Sequence, residues 1–422
     1  MTAFPNTQLR RVFRVTNGGT PTSDPENWDG GIPWATPVDL GHVNGGLLAR
    51  TGRTLTVNGL KTGSSSVPKG SLIISTRAPI GYVAETTTSL AFNQGCRGLI
   101  PTQSMDIRYF RYQLLSMKDT LQSRGLGSTF SELSSESLAS TRVHLPRLSV
   151  QTSISDYLDF EAARIDSLIE KKKLLVGLLE ANYRSYRWER VAGGLRTSVP
   201  KVGVPKYFSD SSWRAVRLRY LVERPVGGSW GSEPGEDEID LTCLRVADFD
   251  RWTGTVVADD PTTRSVSKSA LDRILLNAGD LLLEKSGGGE KNSVGFVARV
   301  PRLGGPSICS NFIARLRPTD GVDGRFVGHV FATLYDQGLT APFIKQTTGI
   351  QNLDVEAFLS QPWAMPLLAE QVAIAVAIEG HLKGVTAVRD RLRHQIQLLV
   401  DRRQALITAT VTNTLALQGV AA

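Results

Sequence analysis

The stretch of this chain that most invites a chemical reading is Glu284-Lys285-Ser286-Gly287-Gly288-Gly289-Glu290-Lys291, a glycine-rich run with two lysines that follows strand-like residues. A phosphate-cradling loop needs backbone N–H groups fanned around an anion and a closing Gly-Lys-Ser/Thr, and here Lys291 is followed by Asn292. The run therefore reads as a turn between paired strands or as a loop facing DNA. The five histidines, His42, His144, His329, His381 and His394, lack the tight spacing of metal ligands. Glu236-Asp237-Glu238 is an acidic run of the kind a solvated loop carries. There is no Gly-x-Ser-x-Gly elbow, no His-Glu-x-x-His helix, and no Asn-Pro-Pro-Tyr-like or Asp-Pro-Pro-Tyr-like sequence of a base methyltransferase. No catalytic, cofactor-binding or metal-ligating residue is expected.

Binding chemistry is better represented. Lys61, Lys69, Arg77 and Arg97 lie in or beside turns of the first half, and Lys285, Lys291, Arg315 and Lys345 are their counterparts in the second. An arginine fork can pair with a guanine edge, whereas a lysine suits a phosphate; either can also be an ordinary surface charge. Asn292 or Asn311 could read adenine through a paired amide contact or stabilise a turn. The net charge of +8 permits nucleic-acid contact without requiring it. Residues 1–150 carry 15 Lys/Arg against 9 Asp/Glu and residues 213–368 carry 17 against 19, so the second region must use a local patch if it touches DNA.

The elements that must hold these residues form two blocks. Residues 1–150 alternate short strand-like runs, such as Ser71 to Thr76 and Tyr82 to Ala84, with turns at Gly18-Gly19-Thr20-Pro21, Gly45-Gly46 and Pro68-Lys69-Gly70. Tyr109 to Met117 suits a peripheral helix. From residue 151 the period changes: Leu158, Ile165, Lys172, Leu179 and Tyr186 recur every seven residues, with Leu168 and Leu175 between them. This predicts a long helix over 151–191, followed by a linker over 192–212 rich in Gly and Pro. The order then repeats, with a second mixed lobe over 213–368, a helix over 369–412 and a tail over 413–422. In the second helix Ile378, Val385, Leu392, Leu399 and Leu406 form the seven-residue row, and Val388, Gln395, Arg402 and Ala409 the companion row. Gly380 and Gly384 predict a bend or a late start.

Sequence echoes point to an internal duplication. Lys69-Gly70-Ser71-Leu72-Ile73-Ile74 matches Ala278-Gly279-Asp280-Leu281-Leu282-Leu283, and Ile80-Gly81-Tyr82-Val83-Ala84 matches Val294-Gly295-Phe296-Val297-Ala298. Pro146, Leu148 and Gln151 match Pro366, Leu368 and Gln371. The expected fold is α+β, with two mixed α/β lobes separated by long spacer helices that pair as an antiparallel coiled coil. Cys96, Cys243 and Cys309 are too few and dispersed for a disulfide framework. With no signal-like N-terminus and no apolar run long enough to span a bilayer, a soluble cytoplasmic protein is expected.

The ordered motifs resemble the specificity subunit of type I restriction-modification enzymes. In the first half these are Gly18-Gly19-Thr20-Pro21, Ile32-Pro33-Trp34, Leu72 to Gly81, Phe92-Asn93-Gln94-Gly95, Gly127-Ser128-Thr129 and Leu145-Pro146 leading to Gln151. In the second they are Gly227-Gly228-Ser229, Leu281 to Gly289, Ser310-Asn311-Phe312, Pro366 to Gln371 and Arg403 to Ala409. Residues 239–245 depart from the Ile-Pro-Trp pattern of the first half. The resemblance implies a non-catalytic protein of phage defence whose lobes are target-recognition domains, each reading half of a split double-stranded DNA sequence. It implies helices that dock two methyltransferase subunits, which hold S-adenosylmethionine and modify adenine. Motor-nuclease subunits using ATP and Mg could join. A two-lobed protein-protein scaffold without base recognition is the alternative reading.

Overall fold

A computed structural model describes residues 4–125, 132–192, 213–289, 292–347 and 349–415. The chain divides into two compact units, one of Met1–Lys173 with Arg393–Ala422, the other of Leu174–Leu392. Each unit holds one mixed lobe, the beginning of the long helix that follows it, and the end of the other long helix.

In the first unit, Leu72-Ile73-Ile74 is a continuous apolar run, and all three residues are fully buried, as a strand covered on both faces requires. This Leu72–Ser75 strand lies inside a five-stranded sheet ordered Phe13–Asn17, Cys96–Pro101, Leu72–Ser75, Val83–Thr86, Leu47–Leu48. A second sheet joins Arg53–Leu55, Trp28–Ala35, Leu90–Phe92 and Ser65–Val67, with its two inner strands parallel. The helix Ile107–Ser116 closes the core with buried Tyr109, Phe110 and Leu114.

The second unit repeats this plan. Leu281–Glu284 is flanked by Ile313–Leu316 and Val297–Arg299, with Val226–Gly227 beyond, and Ile239–Leu244 runs parallel to Ser307–Cys309 in the other sheet. The helix Gly324–Asp336 takes the place of Ile107–Ser116. Glycine marks two equivalent corners in each lobe where the backbone turns left-handed: Gly70 and Gly279 before the central strand, Gly81 and Gly295 after it. The lobe-two addition is a three-stranded sheet of Ser286–Gly287, Ile350–Leu353 and Ile344–Thr347.

The long helices are Leu148–Val191 and Leu368–Val411, 44 residues each, or about 66 Å at 1.5 Å per residue. They pack antiparallel. In the first unit Asp166 pairs with Arg403 at 3.0 Å and Lys172 reaches Gln395 at 2.7 Å; in the second, His381 stacks on Tyr186 at 4.2 Å. Ile165, Ile378 and Val385 are buried, and Leu179, Leu392, Leu399 and Leu406 are half-buried. The companion row falls one residue later than the sequence pattern placed it. Leu168 and Leu175 are 40% and 49% exposed, while Ala162, Ile169 and Tyr183 are buried. On the second helix Val388, Gln395 and Arg402 face outward, and Arg389, Ile396 and Arg403 turn inward. Positions three and four residues after a seam residue are both its neighbours on a helix, and packing selects the fourth here. The late start expected from Gly380 and Gly384 is also corrected, since the helix begins at Leu368 and runs through both. A Cβ at either would meet nothing, so they sit on the open face while Ile378, Leu382 and Val385 anchor the helix.

Candidate nucleic-acid interface

Each lobe gathers equivalent turns at one rim. In lobe one the central strand ends at Ser75, and the next two residues, Thr76 and Arg77, both donate their backbone N–H to the carbonyl of Gly95 at 2.8 and 3.3 Å. In lobe two Lys285 and Ser286 donate in the same way to Phe312 at 2.9 and 3.2 Å. The glycine-bearing segment of each lobe closes the rim: Gly19 donates to Phe92, and Ser229, after Gly227-Gly228, to Cys309. A side chain at Gly18 would strike the carbonyl of Asn93, and one at Gly228 that of Cys309, so only glycine lets these segments meet. A third segment arrives equally, with Leu133 donating to Thr76 and Leu353 to Lys285 at 2.8 Å.

The rim of lobe one carries exposed Arg77, whose Nε lies 3.1 Å from Glu132, and exposed Gln94, which accepts from the Thr20 hydroxyl. Arg97 is there too, but turned inward. It is 9% exposed, and its guanidinium donates to Ser135 at 2.7 Å, to the carbonyls of Gln94 and Cys96, and to Glu132 at 3.4 Å. With its fork committed to closing the turn, Arg97 leaves the set of contact residues and becomes a support for Arg77 and Gln94. Lys61 is exposed on the short helix Val57–Gly63, and Lys69 is exposed at the opposite end of the central strand from Arg77.

In lobe two Lys285 is half-buried beside Gly227, next to the exposed turn residues Asn311 and Phe312. Lys345, 74% exposed on the added hairpin, pairs with Asp354 at 2.8 Å. Gln351 and Asn352 of the same hairpin are already engaged, with the Val294 backbone and the Ser286 hydroxyl. Arg315 is 8% exposed and donates to the Leu275 carbonyl at 2.7 Å, so it too is a structural arginine rather than a contact. Lys291 lies outside the described residues, as do Gly127-Ser128-Thr129, residues 193–212 of the expected linker and residues 416–422 of the expected tail.

The glycine run after Glu284 turns away from nucleotide chemistry. Ser286–Gly287 pairs with Ile350–Leu353, and buried Glu284 binds Arg251 at 2.6 Å, its pKa raised by burial against the pull of that arginine. Burial likewise pushes the thiols of Cys243 and Cys309 up to about 11 and about 12, which keeps them protonated and unreactive near neutral pH. Among the described residues no group of three His, Cys, Asp or Glu is placed to hold a metal ion, and no helix is long and apolar enough to cross a membrane.

The architecture defines a duplicated lobe-and-helix protein whose two rims are built from the same turns but carry different side chains. Residues 4–175 match the family model described as type I restriction modification DNA specificity domain. The chain is 34% identical over 177 residues to the specificity subunit of the type I restriction enzyme MjaIX of Methanocaldococcus jannaschii, covering 41% of this chain and 40% of that protein. It is 25% identical over 190 residues to the EcoR124I/EcoR124II specificity subunit of Escherichia coli, covering 42% and 46%. The matches thus span less than half the length of these relatives. A solved chain from work on complex assembly and conformational transition of the type I R-M system shares the fold over 98% of this chain and 99% of that one, with 16% identity and a TM-score of 0.64. Over residues 4–175 the chain is thus similar to type I restriction-modification specificity subunits.

Proposed function

We propose that this chain gives a type I restriction-modification complex its DNA specificity without catalysing methylation or cleavage, each lobe reading one half of a split target. The observation that carries the reading is the duplicated rim: one backbone frame, built twice from Gly18/Gly228, Gly95/Phe312 and Thr76/Lys285, with unlike side chains mounted on it. A shared frame with different readers is what two different half-sequences demand, since base identity is read by side chains and the frame only positions them. Arg77 and Gln94 in lobe one, and Lys285, Asn311 and Lys345 in lobe two, are the rim residues that face DNA; exposed Lys61 supplies a phosphate contact beside them.

The paired helices act as the spacer and as the docking face for two methyltransferase subunits. Outward apolar residues, Phe160, Leu168, Leu175 and Leu178 on the first helix and Val376 and Val388 on the second, are the material for such docking. S-adenosylmethionine belongs to those partners, and ATP with Mg to a motor-nuclease subunit. Mapping methylated adenine in DNA from cells with and without this gene tests the assignment: one bipartite motif should lose its methylation when the gene is removed, and an unchanged methylation map would refute it.

A further inference from the structure

We propose that the second unit holds a binding site for a small phosphate-class oxyanion, walled by Arg187, Arg299, Arg325 and His329. These residues line an open cavity of about 200 Å³, with Glu379 and Gly328 completing its wall. It is separate from the rim turns and has no part in the reading of DNA proposed above.

The duplication supplies an internal reference for this cavity. Asp106 and Asp323 cap equivalent helices, each accepting from the backbone two residues on and each donating its own N–H to an equivalent glutamine, Gln151 or Gln371. That register sets Arg108 against Arg325, Arg111 against Gly328, Tyr112 against His329, and Asp159 against Glu379. Strand pairing sets Glu85, opposite Leu72, against Arg299, opposite Leu281. In lobe one the space is filled. Arg111 is buried there, bridging Glu85 at 2.8 Å and Asp159 at 3.2 Å, and the Tyr112 hydroxyl donates to Asp159 at 2.6 Å. In lobe two the plugging arginine has become Gly328, and the acid that balanced it has become a second cation, Arg299.

The result is a cavity whose wall carries three guanidinium groups against the one carboxylate of Glu379, with donors to spare. Glu379 takes Arg299 at 3.1 Å and lies 3.8 Å from Arg325, while Asp323 and Asp336 hold the outer sides of Arg325 and Arg187. Each guanidinium carries five N–H donors, more than these pairs use. Arg187 is 7% exposed with its Nε unpartnered, and the buried Nε2 of His329 is unpartnered as well. An oxyanion in the cavity would accept from several guanidinium forks at once. The cavity volume lies below the roughly 300–1,000 Å³ of drug-sized sites, which favours a single phosphate-sized ion over a whole nucleotide.

Calorimetric titration of the full chain with inorganic phosphate, in parallel with AMP, tests the site. Saturable binding of inorganic phosphate at one site per chain is expected. AMP should bind no more tightly than phosphate, and tighter binding of AMP would overturn the assignment to a single phosphate-sized ion. The double variant Gly328→Arg/Arg299→Glu rebuilds the lobe-one arrangement and should weaken phosphate binding at least tenfold, as should the milder Arg299→Gln with its unfolding midpoint preserved. Absence of saturation at millimolar phosphate, or unchanged affinity in Arg299→Gln, would overturn the proposal.

Discussion

Gln371 accepts a hydrogen bond from the backbone N–H of Asp323 at 2.9 Å, and its amide donates to the Pro366 carbonyl at 2.9 Å; Gln151 makes the same two bonds with Asp106, at 3.0 Å, and Pro146, at 2.8 Å. Both glutamines are buried, and each ties the capping aspartate of its lobe's helix to the first turn of the long helix that follows. Replacing Gln371 with Leu leaves a buried N–H and a carbonyl unpaired and should cost about 1–3 kcal/mol. Urea denaturation should show the loss, with Gln151→Leu matching it; an unchanged midpoint in both would remove the lock from the account.

The seam between the long helices is open to a paired comparison. Ile169 is 7% exposed and Leu168 is 40% exposed, although they are adjacent. Ile169→Asp should destabilise the first unit by about 3 kcal/mol or more, because it buries a charge without a partner, whereas Leu168→Asp should cost within about 0.5 kcal/mol. Leu399→Asp belongs with the costly group. Thermal unfolding of the three variants separates the two possible seams.

His329 predicts acid lability in the second unit. Burial, reinforced by Arg187 and Arg299, pushes its pKa down to about 3, while a free imidazole titrates near 6.5. Between those values the unfolded chain binds the extra proton, so this contribution to stability is fully present above pH 6.5 and is lost progressively as pH falls toward 3. At pH 4 the loss should be on the order of 3 kcal/mol. His329→Gln should flatten this part of the stability profile measured by denaturation at stepped pH.

The two kinds of basic residue should separate experimentally. Lys285→Ala should weaken DNA binding by the assembled complex and lower the salt slope by about 1, leaving stability within about 0.5 kcal/mol. Arg97→Ala, which strips donors from the Gln94 and Cys96 carbonyls and from Ser135, should instead lower the unfolding midpoint. Fluorescence anisotropy at several salt concentrations, beside thermal unfolding, distinguishes them.

Much of this fold was visible in the sequence because certain positions admit few residues. Gly81 and Gly295 stand out since their left-handed backbone favours glycine, and Gln151 and Gln371 since each lies five residues after a proline that it binds. The seven-residue row through Ile378 and Val385 was equally plain. The companion row was displaced because Leu168 and Leu175 are more apolar than Ala162 and Val176, and hydrophobicity alone does not say which neighbouring row meets a partner. Arg97 and Arg315 were misplaced for a related reason: proximity to a turn does not fix the direction of a long side chain. The Arg187–Arg299–His329 cavity was invisible, because it exists only where strand register and helix packing bring distant residues together.

If each lobe reads its own half of the DNA target, the halves can be exchanged independently. Replacing residues 213–368 with the corresponding lobe of a relative with a known split target, then mapping methylated adenine made by the assembled complex, should give a hybrid motif, with one half-sequence replaced and the other retained. A motif changed in both halves, or robust methylation at the original motif, would contradict independent reading.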